Sequence, residues 1–324
     1  MKIQLAVIIP AYKAAHLPQA LACLAAQTDQ RFRVYVGDDA SPEPVEVAVR
    51  QSSIPPDRLV YQRFETNLGG RSLTKQWDRC IELSHEPWIW LFSDDDEMEP
   101  GCVAAFYAQL ISTEAAYDFY RFNTIEIDDR GQCTAVCPPH PEWETARAYL
   151  YFFLAGVRRA TQQESIFRRA TYHQLGGMIE LPLGWYADTV FALACSRNWG
   201  VSTITGPLVR FRLSGQNISS RRNRSMVVPR WNALMIFIRW SQQFVADTES
   251  ATAYPTNALL QSLLHGRFIK GIRNGDKWIG PDEFRHLARF MRQHFPTSWG
   301  QDRNELLKHD IRFVVGYLRN ILRS

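Results

Sequence analysis

The sequence predicts an α/β protein, a mostly parallel sheet flanked by helices, with a helical extension at its C-terminal end. Three observations carry this. Short apolar runs alternate with helix-periodic stretches over the first hundred residues, the signature of βαβ units with right-handed crossovers. Two of those runs end abruptly in carboxylates, Gly37-Asp38-Asp39 and Ser93-Asp94-Asp95-Asp96, and open α/β sheets bind ligands at the C-terminal ends of their strands. After residue 220 the strand signals stop, and Pro229, Pro255, Pro281 and Pro296 separate stretches that read as helices.

In chain order, Leu5-Ala6-Val7-Ile8-Ile9 is a compact apolar run stopped by Pro10, the pattern of a central parallel strand. Pro18 then opens a helical pattern with Leu17, Leu21 and Leu24 on one face. Arg33 to Val36 is the second strand, Val45 to Arg50 a helix, and Leu59 to Tyr61 a third strand. Asn67-Leu68-Gly69-Gly70-Arg71 is a turn, and Leu73 to Leu83 reads as a helix.

The organising stretch is Trp88 to Pro100. A strand buried on both faces should stop near Ser93, because Asp, Gly and Pro are poor strand residues. If the chain stays extended one step further, Asp94 and Asp96 point to the same side, roughly 7 Å apart. Adjacent carboxylates repel unless a cation relieves them, and their oxygens suit hard divalent ions. The turn therefore reads either as a metal site that holds phosphates or as a solvated acidic turn.

The chain has 324 residues, 46% hydrophobic and 22% charged, enough for one large domain with an appendage or for two domains. No apolar run reaches the roughly 20 residues that cross a bilayer, and Met1 leads straight into a strand-like run, so no signal peptide is expected. Six cysteines show no Cys-x-x-Cys spacing and read as reduced thiols of a cytoplasmic protein. Cys133 and Cys137 lack the partners of a zinc site. The net charge is +4, yet residues 221–324 hold 17 Lys and Arg against 8 Asp and Glu, so the tail is suited to an anionic surface. Neither Gly-x-Gly-x-x-Gly nor Gly-x-x-x-x-Gly-Lys-Ser/Thr is present, which disfavours a nicotinamide dehydrogenase or a P-loop ATPase.

Four pieces together resemble the family 2 glycosyltransferases of the GT-A fold: Val7-Ile8-Ile9-Pro10-Ala11-Tyr12, Val36 to Ser41, Asn67-Leu68-Gly69-Gly70, and Leu91 to Pro100. The resemblance implies a GT-A catalytic domain over residues 1–220, with a nucleotide-sugar half (1–100) and an acceptor half (101–220), followed by a basic helical region (221–324). It implies that Pro10, Ala11, Tyr12 and Asp38 or Asp39 hold the nucleoside, with Arg71 a further contact to base or phosphate. It implies that Asp94, Asp95 and Asp96 hold the donor diphosphate through Mg²⁺ or Mn²⁺. The common Asp-x-Asp-Asp form is altered, because Ser93 stands at its first position.

Residues 117–135 read as one or two strands around an Asp128-Asp129-Arg130-Gly131 turn, and Glu142 to Val157 as an aromatic helix whose Trp143, Tyr149, Tyr151, Phe152 and Phe153 belong to the core. Glu164 to Arg169, Leu175 to Met178 and Leu183 to Phe191 together resemble the acceptor half, in which a carboxylate opens a helix below the active site. Asp188 matches that carboxylate; the usual Glu-Asp pair is here Ala187-Asp188. A helix N-terminal charge favoured by the dipole is the other reading. Trp185 and Tyr186 are candidates to stack on a sugar of the acceptor, or simply to pack. Val209 to Ser219 resembles a stretch that closes over the diphosphate, with Arg212 suited to grip phosphate oxygens and a structural turn as the alternative.

The last helix puts Ile311, Val314, Val315, Leu318, Ile321 and Leu322 on one face and Lys308, Arg312, Arg319 and Arg323 on the other. Such a helix can lie on the cytoplasmic face of the inner membrane or pack on the catalytic domain. The expected activity is inverting transfer of a sugar from a nucleoside diphosphate, UDP first among the carriers, to a glycan or lipid-linked glycan in bacterial surface polysaccharide synthesis. Nucleic acid is not an expected partner. A sugar-phosphate nucleotidyltransferase would need a glycine-rich basic loop where Ala11-Tyr12-Lys13-Ala14 stands. A non-catalytic membrane-associated protein with a decayed site is the reading from another class.

Overall fold

The computed structural model describes residues 4–213, 224–248, 254–275 and 281–296. The first four long strands, β1 (Leu5–Ala11), β2 (Phe32–Asp38), β3 (Leu59–Arg63) and β4 (Trp88–Leu91), are parallel, in the order β3-β2-β1-β4. Helices α1 (Leu17–Ala25), α2 (Val45–Arg50) and α3 (Leu73–Ile81) make the crossovers. Strand β1 shows why its run is continuously apolar. Leu5, Val7 and Ile9 enter the core cluster on one face and Ala6 and Ile8 the cluster on the other, so alternate side chains are buried on both sides.

The second half turns the sheet mixed. After β5 (Glu97–Met98) and α4 (Cys102–Ser112), the strands β6 (Phe119–Ile127) and β7 (Cys133–Val136) form the expected pair around the 128–131 turn. The aromatic helix starts later than its sequence suggests. Trp143–Glu144 pairs with the sheet as β8, and Thr145 caps α5 (Ala146–Leu154) by accepting from the Ala148 amide. The reason is Glu144, which is drawn inward by ion pairs to Arg121 and Arg158. Trp143 is consequently not core: it is 49% exposed, and its indole N–H donates to the Trp199 carbonyl. Strand β9 (Ser165–Arg168) then runs antiparallel between β4 and β6, α6 (Arg169–Gln174) and α7 (Ala187–Cys195) follow, and β10 (Val201–Arg212) pairs with β6, β5 and β8.

Helices α8 (Arg224–Asp247), α9 (Asn257–Gly275) and α10 (Pro281–His294) begin near the prolines that the sequence singled out, although Pro229 lies inside α8. Their Trp231, Leu234, Phe237, Leu264 and Phe268 share one apolar cluster with Leu150, Val190 and Phe191. Among the described residues, no helix is long and apolar enough to cross a membrane. The amphipathic helix expected around residues 308–323 and the 214–219 stretch lie outside the described residues.

Candidate active site

The ends of β1, β2 and β4 converge at one sheet edge, and acidic side chains tie them together. Asp94 Oδ2 accepts from the Tyr12 and Lys13 amides, each at 2.8 Å. Asp95 Oδ2 accepts from Lys13 Nζ at 2.9 Å. Asp96 Oδ1 accepts from the Arg212 amide at 2.7 Å, and Asp96 Oδ2 is buried with no hydrogen-bond partner. Burial, then the Asp95 charge, pushes Asp94 up to about 6 and moves Asp96 upward as well.

The cluster fits a hard divalent cation. Its donors are carboxylate oxygens, it carries excess negative charge, and one buried oxygen is left unpaired. Among the described residues, no three acidic, His or Cys side chains already close around a common point. That suits an ion such as Mg²⁺, which is usually held by one or two carboxylates together with substrate phosphates. Asp94 Oδ2 and Asp95 Oδ2 are already engaged, by the Tyr12 and Lys13 amides and by the Lys13 ammonium, whereas Asp96 Oδ2 has no hydrogen-bond partner.

The other expected donor contacts divide. Tyr12 is 44% exposed beside the rim, and Arg71 is exposed on the neighbouring loop, with Pro10 and Ala11 closing β1 beneath them. Asp38 is fully buried and accepts from the Ser41 amide, the Tyr61 hydroxyl and Arg63 Nη1 at 2.7–2.8 Å. Asp39 accepts from the Leu68 and Gly69 amides at 2.7 and 2.8 Å, and from Asn67 and Arg79. Both carboxylates are therefore engaged in holding the loops after β2 and β3. Gly69 is required for this, since a Cβ there would stand 2.6 Å from Asp39 Oδ2. Arg212, expected to grip phosphate, is engaged within the protein. It is 1% exposed, and its guanidinium donates to the Asp95 carbonyl at 2.7 Å, the Asp128 carbonyl at 2.6 Å and the Glu97 carboxylate. It braces the acidic turn from behind.

Asp188 is linked to the end of β4 through β9. Strand β9 is antiparallel to β4 with Ile166 opposite Trp90, so the start of β9 lies beside the end of β4. The Trp90 indole donates to the Gln163 carbonyl at 2.7 Å, fixing the 162–164 turn there. On β9, Phe167 packs edge-on against Phe191 of α7, ring centroids 4.8 Å apart, and Glu164, just before β9, feels the Asp188 charge. Asp188 sits in the first turn of α7, with Oδ1 accepting from the Thr189 amide at 2.7 Å. Burial raises it to about 6.

Sequence reasoning missed its neighbour. Glu164 is 1% exposed, accepts from the Thr161 hydroxyl at 2.6 Å and feels the Asp188 charge; burial is the main cause that raises it to about 7. His140 Nε2 stands 4.0 Å from Glu164 and is held neutral, its pKa lowered to about 2 by burial and then by Arg121 and Arg158. The only signal in the sequence was a carboxylate placed just before an apolar run.

Trp185 and Tyr186 do not stand free for an acceptor. Tyr186 stacks on Phe237 of α8 at 4.6 Å, and the Arg230 guanidinium lies 4.3 Å over the Trp185 ring. Both join the C-terminal helices to the α7 N-terminus. Tyr186 sits at φ +69°, a left-handed turn that starts α7.

The family model described as glycosyl transferase family 2 matches residues 6–168. No curated protein matches the sequence. Among solved structures, S. aureus TarS 1-349 in complex with UDP-GlcNAc superposes with a TM-score of 0.66 at 16% identity, covering 98% of this chain and 89% of that one. The same fragment in complex with UDP gives 0.62 at 16% identity with the same coverage. In a longer TarS structure, with a TM-score of 0.61 at 16% identity, this chain spans 54% of the other. The likeness is one of fold, a GT-A sheet flanked by helices.

Proposed function

The chain belongs to glycosyl transferase family 2, and on that premise we propose that it moves a sugar from a nucleoside diphosphate to an acceptor hydroxyl with inversion at the anomeric carbon. What supports the reading is an acidic, cation-fitting turn after β4 together with a carboxylate of raised pKa at the start of α7, linked to the end of β4 through β9. Asp188 takes the acceptor hydroxyl proton as its oxygen attacks; a well-placed base contributes about 10²–10⁴ in rate. One in-line displacement needs no protein nucleophile, so configuration inverts. A divalent ion on Asp95 and Asp96 would supply Lewis-acid stabilisation of the departing diphosphate. Tyr12 and Arg71 face the nucleoside, while Asp38 and Asp39 hold the loops that surround it.

The donor class is a nucleotide sugar, with UDP as the first carrier to try, because TarS, similar in fold, is held in complex with UDP and with UDP-GlcNAc. The acceptor is a glycan or lipid-linked glycan of a bacterial surface polysaccharide. The basic residues 221–324 would bring the enzyme to the anionic inner leaflet where such lipids sit. Thermal unfolding with UDP or GDP, with Mn²⁺ or with EDTA, tests the donor side. A rise in Tm that needs both nucleotide and metal is expected; no rise with any pairing would remove the donor reading.

A further inference from the structure

Lys13 places an ammonium group inside the acidic rim, and nothing in the reaction outlined above uses it. Its Nζ donates to Asp95 Oδ2 at 2.9 Å. The main chain around it is pinned on three sides. The Tyr12 and Lys13 amides donate to Asp94. The Tyr12 carbonyl accepts from Ser41 Oγ at 2.6 Å, and the Ala14 amide donates to Glu43 Oε2 at 2.6 Å. The backbone of Lys13 is therefore fixed at the turn, whereas its four-carbon stem can swing. Arg212, the cation that the sequence offered for the phosphates, is turned inward to Asp95, Asp128 and Glu97.

We propose that Lys13 is a donor-binding residue that changes partner: in the free enzyme it neutralises Asp95, and on donor binding it yields Asp95 to the divalent ion and takes a phosphate oxygen of the nucleoside diphosphate. This rests on the donor reading above. The argument is one of charge and reach. An ion that takes Asp95 competes for that carboxylate's charge with an ammonium already hydrogen-bonded to its Oδ2, so metal alone binds weakly. The displaced ammonium can move only as far as its stem allows, which leaves it facing whatever anion the ion holds. Metal and diphosphate then each strengthen the other's binding, a coupling set by Lys13.

The test measures binding of Mn²⁺ alone, of UDP in EDTA, and of both together, in the full chain and in Lys13→Met. The variant should bind Mn²⁺ alone roughly tenfold more tightly, as expected when a charge-assisted hydrogen bond no longer competes. It should bind metal-free UDP more weakly, and Lys13→Arg should restore both values toward those of the parent. Asp95→Asn, which releases the ammonium without removing it, should bind metal-free UDP more tightly than the parent. Equal Mn²⁺ and UDP affinities in the parent and Lys13→Met would overturn the proposal and leave the donor site standing. Folded proteins that bind neither Mn²⁺ nor UDP, separately or together, would overturn the donor reading and this one with it.

Discussion

At the scale of the residue, the site is governed by what burial does to carboxylates. Asp188 titrates near 6 rather than in the ordinary range because protein replaces water around it. A general base works only when deprotonated, so kcat/KM should fall about tenfold per pH unit below pH 6 and level off above it. A pH profile that stays flat down to pH 5 would take Asp188 out of the role. Glu164 carries a second consequence. Its folded pKa, about 7, lies above its ordinary value, so its neutral form suits the fold. The stability it allows is present at low pH and is lost as pH rises toward and through 7. Glu164→Gln keeps the neutral form, and should gain on the order of 2–3 kcal/mol over the parent at pH 8 and almost nothing at pH 4. Urea unfolding at the two pH values reads this directly. Asp188 was singled out in the sequence because its stretch resembles the acceptor half of the family, in which a carboxylate opens a helix. Glu164 was not, because its burial depends on β4 and β9 pairing across more than seventy positions.

At the scale of the element, the parallel half was the readable part. Strands β1, β2 and β4 declare themselves as apolar runs because they are buried along nearly their whole length, whereas β3 is mostly exposed and its apolar part is only Leu59 to Tyr61. The antiparallel additions β5, β8 and β9 are two to four residues long, and nothing in so short a run says which strand it will join. The helix read from Glu142 failed at its start for a comparable reason: Glu144 answers to Arg121 on β6, a distant strand. The loop after β3 shows how an element depends on one residue. Leu68 and Gly69 give their amides to Asp39, and the missing side chain at Gly69 lets the carboxylate approach. Gly69→Ala should push Asp39 off these bonds and weaken UDP binding at least tenfold, with a Tm lower by a few degrees. Unchanged nucleotide affinity in a calorimetric titration would mean that the loop does not shape the donor site.

At the scale of the whole molecule, the C-terminal helices complete the wall behind the α7 N-terminus. Arg147 is the tie. It is 6% exposed, and its guanidinium donates to the carbonyls of Val245 and Pro255 and to the Asn257 side chain. The sequence does not single it out, because its partners lie about a hundred positions away. Arg147→Met leaves those buried carbonyls unpaired and should cost roughly 3 kcal/mol or more, visible in urea unfolding. A loss below 1 kcal/mol would mean that the helices are held by apolar packing alone. On the proposed reading, an acidic turn and a carboxylate base at the start of α7 face each other across the reacting bond. Asp188→Asn keeps the shape and removes the base. Turnover with the natural acceptor, measured beside donor affinity, should fall by about 10²–10⁴ while donor affinity stays within a factor of two or three. Undiminished turnover in that variant would contradict the account.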